Sequence, residues 1–468
     1  MNDLYEYNYS KMIEPKYGPK RNVLQDEILT EQIHKEHLYS IGDDERVDMT
    51  LHDTYTIDPI GCEDADDAFS IFTNNDKLYL AIHIADPTEY IDLNSILWND
   101  IVKRTTTKYP SNRKSIHMMP NKIVKLSSLI GNIHGEIKKS ITILTEIDFK
   151  TYEPINEIKL LFTTIFVKKE NGLNYNEAST ICEENNSFNI GLKISNTLKK
   201  KRSLKTKGVK LNEIYNTNII YETDNVYLHE DTKQEKMMKE MIAEFAIFAN
   251  SFVGEYLKIN LNIGIFRSCV ANDWLKTIYN EISGEELLQE IIMNGIKAEY
   301  ISNIKSHDLV GMPEYCHFTS PIRRLTDCVC HYLLKYIYFN STRKKYNIPF
   351  SELELEKLSN DCMKKTRLEK KNQYLDTKFR LLQVMDNMIS KNNKIDIQYY
   401  ITGYSGLFLN IIICNVNHFQ VHVSYTLRLK NYTKIINSKE KYLLSITKVN
   451  CFTDYDENTI PELDRCFL

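Results

Sequence analysis

Short apolar runs separated by turn residues dominate the chain from residue 46 to about residue 167. They predict strands at 70–72, 78–84, 140–147 and 160–167, the first two forming a hairpin around the turn at 74–76. Residues 1–45 are polar and mixed, with one helical stretch at 24–38 and no core pattern. The pattern predicts an N-terminal extension followed by a β-rich α/β domain.

Helical periodicity takes over in the middle of the chain. It predicts helices at 93–102, 190–207, 234–257, 324–339 and 352–390. One face of the third helix carries an apolar stripe typical of a core contact, made of Met237, Met241, Phe245, Phe248 and Phe252. Beyond residue 394 the alternation returns at 397–401, 407–414 and 419–423, which predicts a small all-β domain. The expected organisation is therefore an extension at 1–45, an α/β domain at 46–390 and a β domain at 391–468.

Composition places the chain among ordinary globular proteins. Of its 468 residues, 42% are apolar and 26% are charged, enough for two or three domains. No run of about 18 apolar residues and no apolar signal core are present, so an intracellular, cytoplasmic protein without membrane contact is expected. The ten cysteines are scattered without a C-x-x-C pair, which indicates neither a disulfide framework nor a zinc site.

The net charge is −4, which argues against a simple basic nucleic-acid binder. The basic residues are nevertheless clustered, for example at 199–202. Their distribution therefore carries more information than their sum.

Candidate chemistry lies first in residues 55–69, where Asp58, Asp64, Asp66 and Asp67 are interleaved with apolar residues. Burying unpaired carboxylates costs several kcal/mol, roughly, so a half-buried cluster of this kind implies a cation. Hard oxygen ligands suit Mg²⁺, with Mn²⁺ as an alternative. Asp58 should end a strand, after which residues 59–61 turn the chain back.

Other interpretations of this stretch remain open at this point. An acidic surface turn is one, and the D-x-D of a sugar-nucleotide transferase is another. An EF-hand is excluded because its glycine and distal glutamate are missing.

A second candidate is the stretch His317-Phe-Thr-Ser-Pro-Ile-Arg-Arg324. It places Arg323 and Arg324 at a predicted helix start, where both the guanidinium groups and the helix N-terminus favour phosphate. The alternative is that Ser320 is an ordinary N-cap and the arginines lie on the surface.

Taken together, the two stretches resemble the signature motifs of the ribonuclease II and ribonuclease R (RNB) family of 3′→5′ exoribonucleases. Further matches occur in the same order at 45–48, 82–86, 118–120, 127–129, 244–250, 265–267 and 298–300. The resemblance implies an α/β catalytic domain with an RNA channel too narrow for duplex. It also implies that the C-terminal β domain is a degenerate OB-type RNA-binding barrel.

The resemblance also assigns roles to individual residues. Asp58, Asp64, Asp66 and Asp67 look like the metal-site aspartates, with Asp66 and Arg323 as catalytic residues. Tyr109 matches an aromatic residue that stacks on a base. Glu244, Arg323 and Arg324 match residues that contact RNA, although a pair such as Glu240 and Glu244 is also typical of solvated helix surface.

The implied reaction is hydrolysis of single-stranded RNA to nucleoside 5′-monophosphates by two metal ions. The rival functions are a catalytically silent RNA-binding scaffold and a DNA-directed exonuclease. The chain departs from the family in having only about 45 residues where two cold-shock domains are usual. It is therefore expected to be a shortened form in which RNA capture is weak or delegated to a protein partner.

Overall fold

The computed structural model describes residues 2–34, 36–132, 135–205, 217–222, 225–271, 273–278, 287, 290–291, 297–342, 346–405, 408–428 and 440–449. The helices are α1 (Asn2–Met12), α2 (Glu14–Tyr17), α3 (Val23–Thr30), α4 (Ile96–Arg104), α5 (Asn121–Ser127), α6 (Tyr175–Ile181), α7 (Asn186–Lys205), α8 (Lys233–Asn260), α9 (Asp273–Ile278), α10 (Leu325–Thr342) and α11 (Glu352–Asn392). The strands are β1 (Val47–Asp48), β2 (Thr54–Asp58), β3 (Asp67–Asn74), β4 (Lys77–Ala85), β5 (Lys138–Ile147), β6 (Pro154–Ile165), β7 (Gly172–Asn174), β8 (Thr217–Glu222), β9 (Asn225–Glu230), β10 (Phe266–Ser268), β11 (Glu299–Ile301), β12 (Ile395–Ser405), β13 (Phe408–Val416), β14 (Phe419–Arg428) and β15 (Tyr442–Ile446).

A seven-stranded mixed sheet is the centre of the α/β domain. Its order is β1-β6-β5-β4-β3-β2-β7, with parallel pairs only at β1–β6 and β2–β7. The predicted hairpin is confirmed as β3–β4, and its turn residues Asn75 and Asp76 adopt positive φ angles of 49° and 60°. Because β4 lies between two long strands, its apolar residues are buried, which explains their nearly continuous run.

Helix α8 packs its apolar stripe against this sheet. Phe245 meets Phe69 of β3 with ring centroids 5.5 Å apart, and Met241 is fully buried. Phe248 and Phe252 are only partly buried but still contact the core. The stripe is therefore a core contact, as predicted. The predicted helix at 190–207 is observed as α7, with 206–207 outside the described residues.

The N-terminal segment differs from its prediction. The helix expected at 24–38 is α3, which ends at Thr30. The interpretation that the segment has no core pattern is wrong, because Tyr5, Tyr9 and Tyr17 are completely buried. These tyrosines are spaced by four and eight residues within a polar sequence, and they pack against the C-terminal half of α11. The hydroxyl groups of Tyr9 and Tyr17 both donate to Asp376 of that helix, at 2.6 and 2.8 Å.

A separate antiparallel sheet follows α11. Its four strands lie in the order β14-β13-β12-β15 and share a core with the end of α11 and with α1. An α/β domain followed by an all-β unit is thus confirmed, while closure of the unit into an OB barrel stays a prediction. Residues 406–407, 429–439 and 450–468 of the predicted β domain lie outside the described residues. Among the helices that the structure describes, none has the length and hydropathy to span a membrane.

Candidate active site

Four aspartates converge where β2 ends and β3 begins. Asp58 is the last residue of β2, as expected from the sequence, while β3 begins at Asp67, three residues before the strand predicted at 70–72. The connecting loop reverses at Gly61, whose φ of +75° is a conformation that glycine adopts without strain. The thiol of Cys62 lies 3.7 Å from Oδ1 of both Asp58 and Asp64. This short loop therefore brings the Asp58 and Asp64 carboxylates to the same thiol.

Ser128 fixes the other side of the loop. Its hydroxyl accepts the Ala65 N–H at 3.0 Å, while the Leu129 N–H donates to the Ala65 carbonyl at 2.9 Å. These bonds give the segment at 127–129 a structural role beside the aspartates.

Asp66 joins the two sequence stretches. Its Oδ1 accepts the Ile322 backbone N–H at 2.7 Å, and its Oδ2 accepts Nε of Arg323 at 3.0 Å. The Arg323 guanidinium also donates to the Ser320 hydroxyl at 3.0 Å, and its side chain remains 44% exposed. An arginine anchored at its base and open at its tip is suited to contact an incoming anion.

The two arginines precede the helix instead of starting it, which corrects the sequence interpretation. Helix α10 begins at Leu325, whose N–H donates to the carbonyl of Thr105, and the Arg323 carbonyl accepts the Thr107 N–H. In a helix that began earlier, the Leu325 N–H and the Arg323 carbonyl would bond within the helix, but here both bond to residues 105–107. Arg324 binds the fully buried Asp327 at 2.7 Å and so anchors the beginning of α10.

Burial raises the pKa values of three of the aspartates. Burial, and then the neighbouring Asp67, raise the pKa of Asp58 to about 7. Burial also raises the pKa of Asp67 to about 6 and that of Asp66 well above its ordinary value, although Arg323 opposes the shift of Asp66. Within the described residues, the Asp67 carboxylate accepts no hydrogen bond and the Asp58 carboxylate accepts only from the Cys62 thiol. Such carboxylates fit a divalent cation.

The spacing of the aspartates limits how an ion is held. The one described group of three potential ligands with all ligand atoms within 4.8 Å is elsewhere, at His229, Asp231 and Glu235. There Lys239 already occupies Asp231 at 2.6 Å, so that group has its own cation. The four aspartates do not form such a close group within the described residues. A hard divalent cation that binds one or two carboxylates and completes its shell with water and phosphate needs no such group.

Tyr109 contributes a polar contact that sequence reasoning missed. Its hydroxyl donates to Oδ2 of Asp64 at 2.7 Å, and the residue is 38% exposed. Burial and the charge of Asp64 raise the pKa of Tyr109, which keeps the phenol neutral. His117 also lies nearby, with Nδ1 3.9 Å from Oδ2 of Asp64. The position of His117 beside Asp64 could not be predicted from the sequence, because its spacing from the aspartates follows no motif.

Glu244 is not brought into contact with the aspartates by any described interaction. Its carboxylate is buried in an ion pair with Arg202 of α7, with Oε2 3.3 Å from Nε. The pair borders an open cavity of about 940 Å³ together with Phe248 and Ser251. Solvated helix surface is therefore the wrong interpretation for Glu244, and its contact with RNA stays a prediction.

Comparison with known proteins identifies the family. The RNB domain model matches residues 46–340. Exoribonuclease 2 of Buchnera aphidicola is 25% identical over 347 residues, which are 65% of this chain and 52% of that protein. RNase R of Mycoplasma genitalium, solved with ribose-methylated single-stranded RNA, has a TM-score of 0.71 at 17% identity, covering 92% of this chain and 74% of that one. Yeast Ssd1, described as a pseudonuclease, has a TM-score of 0.63 at 16% identity, covering 82% and 50%.

The chain spans about half the length of the curated relatives it matches. The family model covers well over half of the chain and includes both stretches of the site. On this evidence the chain belongs to the RNB domain family.

Proposed function

We propose that this chain is a 3′→5′ exoribonuclease that hydrolyses single-stranded RNA to nucleoside 5′-monophosphates. The observation that carries the proposal is the contact between Asp66 and Arg323, which unites two stretches 257 residues apart around buried carboxylates. The names of the relatives support the same activity, since they are exoribonucleases of the RNB family.

The four aspartates are proposed to hold two divalent cations, Mg²⁺ or Mn²⁺. When bound, such ions lower the pKa of an attacking water and stabilise charge on the leaving 3′-oxygen. Arg323 stabilises the negative charge that develops on the scissile phosphate, and Asp66 holds its guanidinium in place. The Tyr109 hydroxyl fixes the orientation of the Asp64 carboxylate.

RNA contacts are proposed on the exposed side of the same site. The Tyr109 ring is accessible for stacking on a base, an interaction worth about 1–3 kcal/mol. Arg324 adds positive charge next to Arg323. Glu244 is assigned to the terminal nucleotide on the family resemblance alone.

A catalytically silent RNA-binding scaffold is the second candidate. Its support is the structural likeness to Ssd1, whose description is that of a pseudonuclease. Retention of all four aspartates and of Arg323 favours the nuclease. A DNA-directed exonuclease differs only in contacts to the 2′-hydroxyl, which an activity assay distinguishes.

The test uses 5′-end-labelled RNA, its DNA analogue and a duplex with a 3′ overhang, each with Mg²⁺ or EDTA. We expect a Mg²⁺-dependent ladder from the RNA, with mononucleotides as product. Asp66→Asn should abolish turnover while the Kd for RNA changes little. The matched control is Asp76→Asn in the exposed turn at the other end of β3.

Binding of RNA without any laddering would support the scaffold. Laddering of the DNA alone would support the DNA exonuclease. Unchanged activity of Asp66→Asn would refute the assignment of the site.

A further inference from the structure

Arg267 lies on β10, next to the segment that leads to Arg323. Its backbone N–H donates to the carbonyl of Tyr315 at 2.8 Å, and on the other side it is paired with Tyr300 of β11. Its guanidinium stacks over the Tyr300 ring, 4.6 Å from the centroid. The residue is only 7% exposed, so the charge is largely withdrawn from water.

The guanidinium of Arg267 has no polar partner. Within the part of the chain that the structure describes, it makes no hydrogen bond and no ion pair. Other buried arginines are paired: Arg46 with two carboxylates, Arg202 with Glu244, and Arg380 with Glu6. Burying an unpaired charge is costly, and a stacked tyrosine compensates only part of that cost.

The guanidinium is still reachable from outside. All three guanidinium nitrogens of Arg267 retain some solvent-accessible surface. The guanidinium therefore keeps some contact with solvent.

Arg324 adds positive charge near Arg267. Burial lowers the pKa of Arg267, and the charge of Arg324 lowers it further. His317 is neutral, because burial and the charges of Arg324 and Arg267 hold its pKa well below the ordinary value. A buried guanidinium without a carboxylate partner is stabilised by a bound anion.

We propose that Arg267 forms a phosphate-binding subsite beside the aspartate centre. The ligand is a nucleic-acid phosphate, either an internal phosphodiester of the bound strand or the 5′-phosphate of the released nucleotide. A planar guanidinium held against an aromatic ring presents its edge to two phosphate oxygens. The inference rests on the proposed function, which it deepens by naming a second anion contact in addition to Arg323.

The first experiment measures RNA affinity without catalysis. Wild type and Arg267→Met are titrated with a fluorescent single-stranded RNA in EDTA at several salt concentrations. Methionine keeps an apolar stem over Tyr300 and removes the charge. We expect about tenfold weaker binding, and a slope of log K against log salt that is smaller by about 0.7, the value for one phosphate of a single strand. Arg367→Met is the control, since Arg367 lies exposed on α11 and is paired with Glu299; its Kd should change less than about twofold.

The second experiment separates a binding role from a structural one. Because the charge is unpaired without RNA, its removal should leave the urea unfolding midpoint of the RNA-free protein unchanged or raise it. A lowered midpoint, with unchanged RNA affinity and salt slope, would overturn the proposal and assign Arg267 to stacking alone.

A third experiment identifies the phosphate. RNAs with one uncharged methylphosphonate linkage at successive positions are bound to wild type and to Arg267→Met. If an internal linkage is the ligand, one position should weaken binding to wild type but not to the variant. If the product phosphate is the ligand, a nucleoside 5′-monophosphate should compete with RNA in wild type about tenfold better than in the variant.

The subsite would be refuted if neither the methylphosphonate position effect nor the competition by the nucleoside 5′-monophosphate were observed. The proposed nuclease function would survive that result, because the laddering assay does not depend on it. Conversely, a chain that binds RNA in this way but produces no ladder would retain the subsite and lose the nuclease function.

Discussion

Glu369 of α11 offers a sharp test of the electrostatics of this protein. The residue is 6% exposed, and its Oε1 is sealed from solvent without a hydrogen-bond partner. Burial raises its pKa from 4.5 to about 7; Lys108 opposes the shift and Asp376 adds to it. Tyr17 of the N-terminal segment also faces the carboxylate. We therefore expect Glu369→Gln to stabilise the protein relative to wild type increasingly above about pH 4.5, with the full effect above about pH 7.

The magnitude follows from the two pKa values. The folded state holds the proton up to about pH 7, whereas the unfolded state releases it near pH 4.5. Between these values the folded state binds more protons, so the free energy of unfolding falls as the pH rises. Since one pKa unit is worth about 1.4 kcal/mol, the loss is about 3 kcal/mol and is complete above about pH 7. Glutamine escapes this loss because it does not titrate.

The assay is urea denaturation of wild type and Glu369→Gln between pH 4.5 and pH 8 in EDTA at constant ionic strength. The difference in free energy of unfolding should grow by about 3 kcal/mol in favour of the variant across this range. Asp58 and Asp67 also titrate in this range, but they are common to both proteins and cancel in the difference. Glu356→Gln, an exposed change on the same helix, should show no such trend. A difference independent of pH would refute the reasoning.

Three further perturbations test individual contacts. Asp376→Asn should lower the free energy of unfolding in urea by about 3 kcal/mol, because Asp376 accepts four hydrogen bonds. It should also raise the KM for RNA, because two of these bonds hold Ser111, close to Tyr109. An unaltered KM would count against the coupling between Asp376 and the active site. Arg46→Met should lower the free energy of unfolding by about 3–5 kcal/mol, since it removes one of the cations that neutralise the buried Asp86 and Glu89 and leaves Lys335 to face both carboxylates; wild-type stability would contradict this. Tyr109→Phe should lower kcat while the Kd for RNA is kept, because only the bond to Asp64 is lost; loss of affinity instead would assign the hydroxyl to binding.

The sequence predicted features that depend only on neighbouring residues, such as strand ends and turns. The strand ending at Asp58 and the turn at Gly61 both follow from short-range rules. The approach of Arg323 to the aspartates came from the family resemblance, because spacing alone does not tell which distant stretches meet. The identity of the ions and the RNA contacts stay predictions.

What the sequence could not show depends on distant partners. Glu244 is an ion-paired residue only because Arg202 lies on a neighbouring helix. Arg267 stands out only because no carboxylate lies beside it, a property that no motif encodes. The burial of Tyr9 and Tyr17 has no local signal in the sequence, because their common partner, Asp376, is more than 350 residues away.

That long separation bears on how the protein is made. During synthesis Tyr9 of α1 leaves the ribosome 367 residues before Asp376, the residue to which its hydroxyl donates. Until then the buried faces of these helices have no docking surface, and closing so long a loop is slow. A polypeptide interrupted before α11 would also lack the anchor for Ser111, and with it the support of the Tyr109 loop. The supported form of this centre can therefore assemble only after α11 has been synthesised.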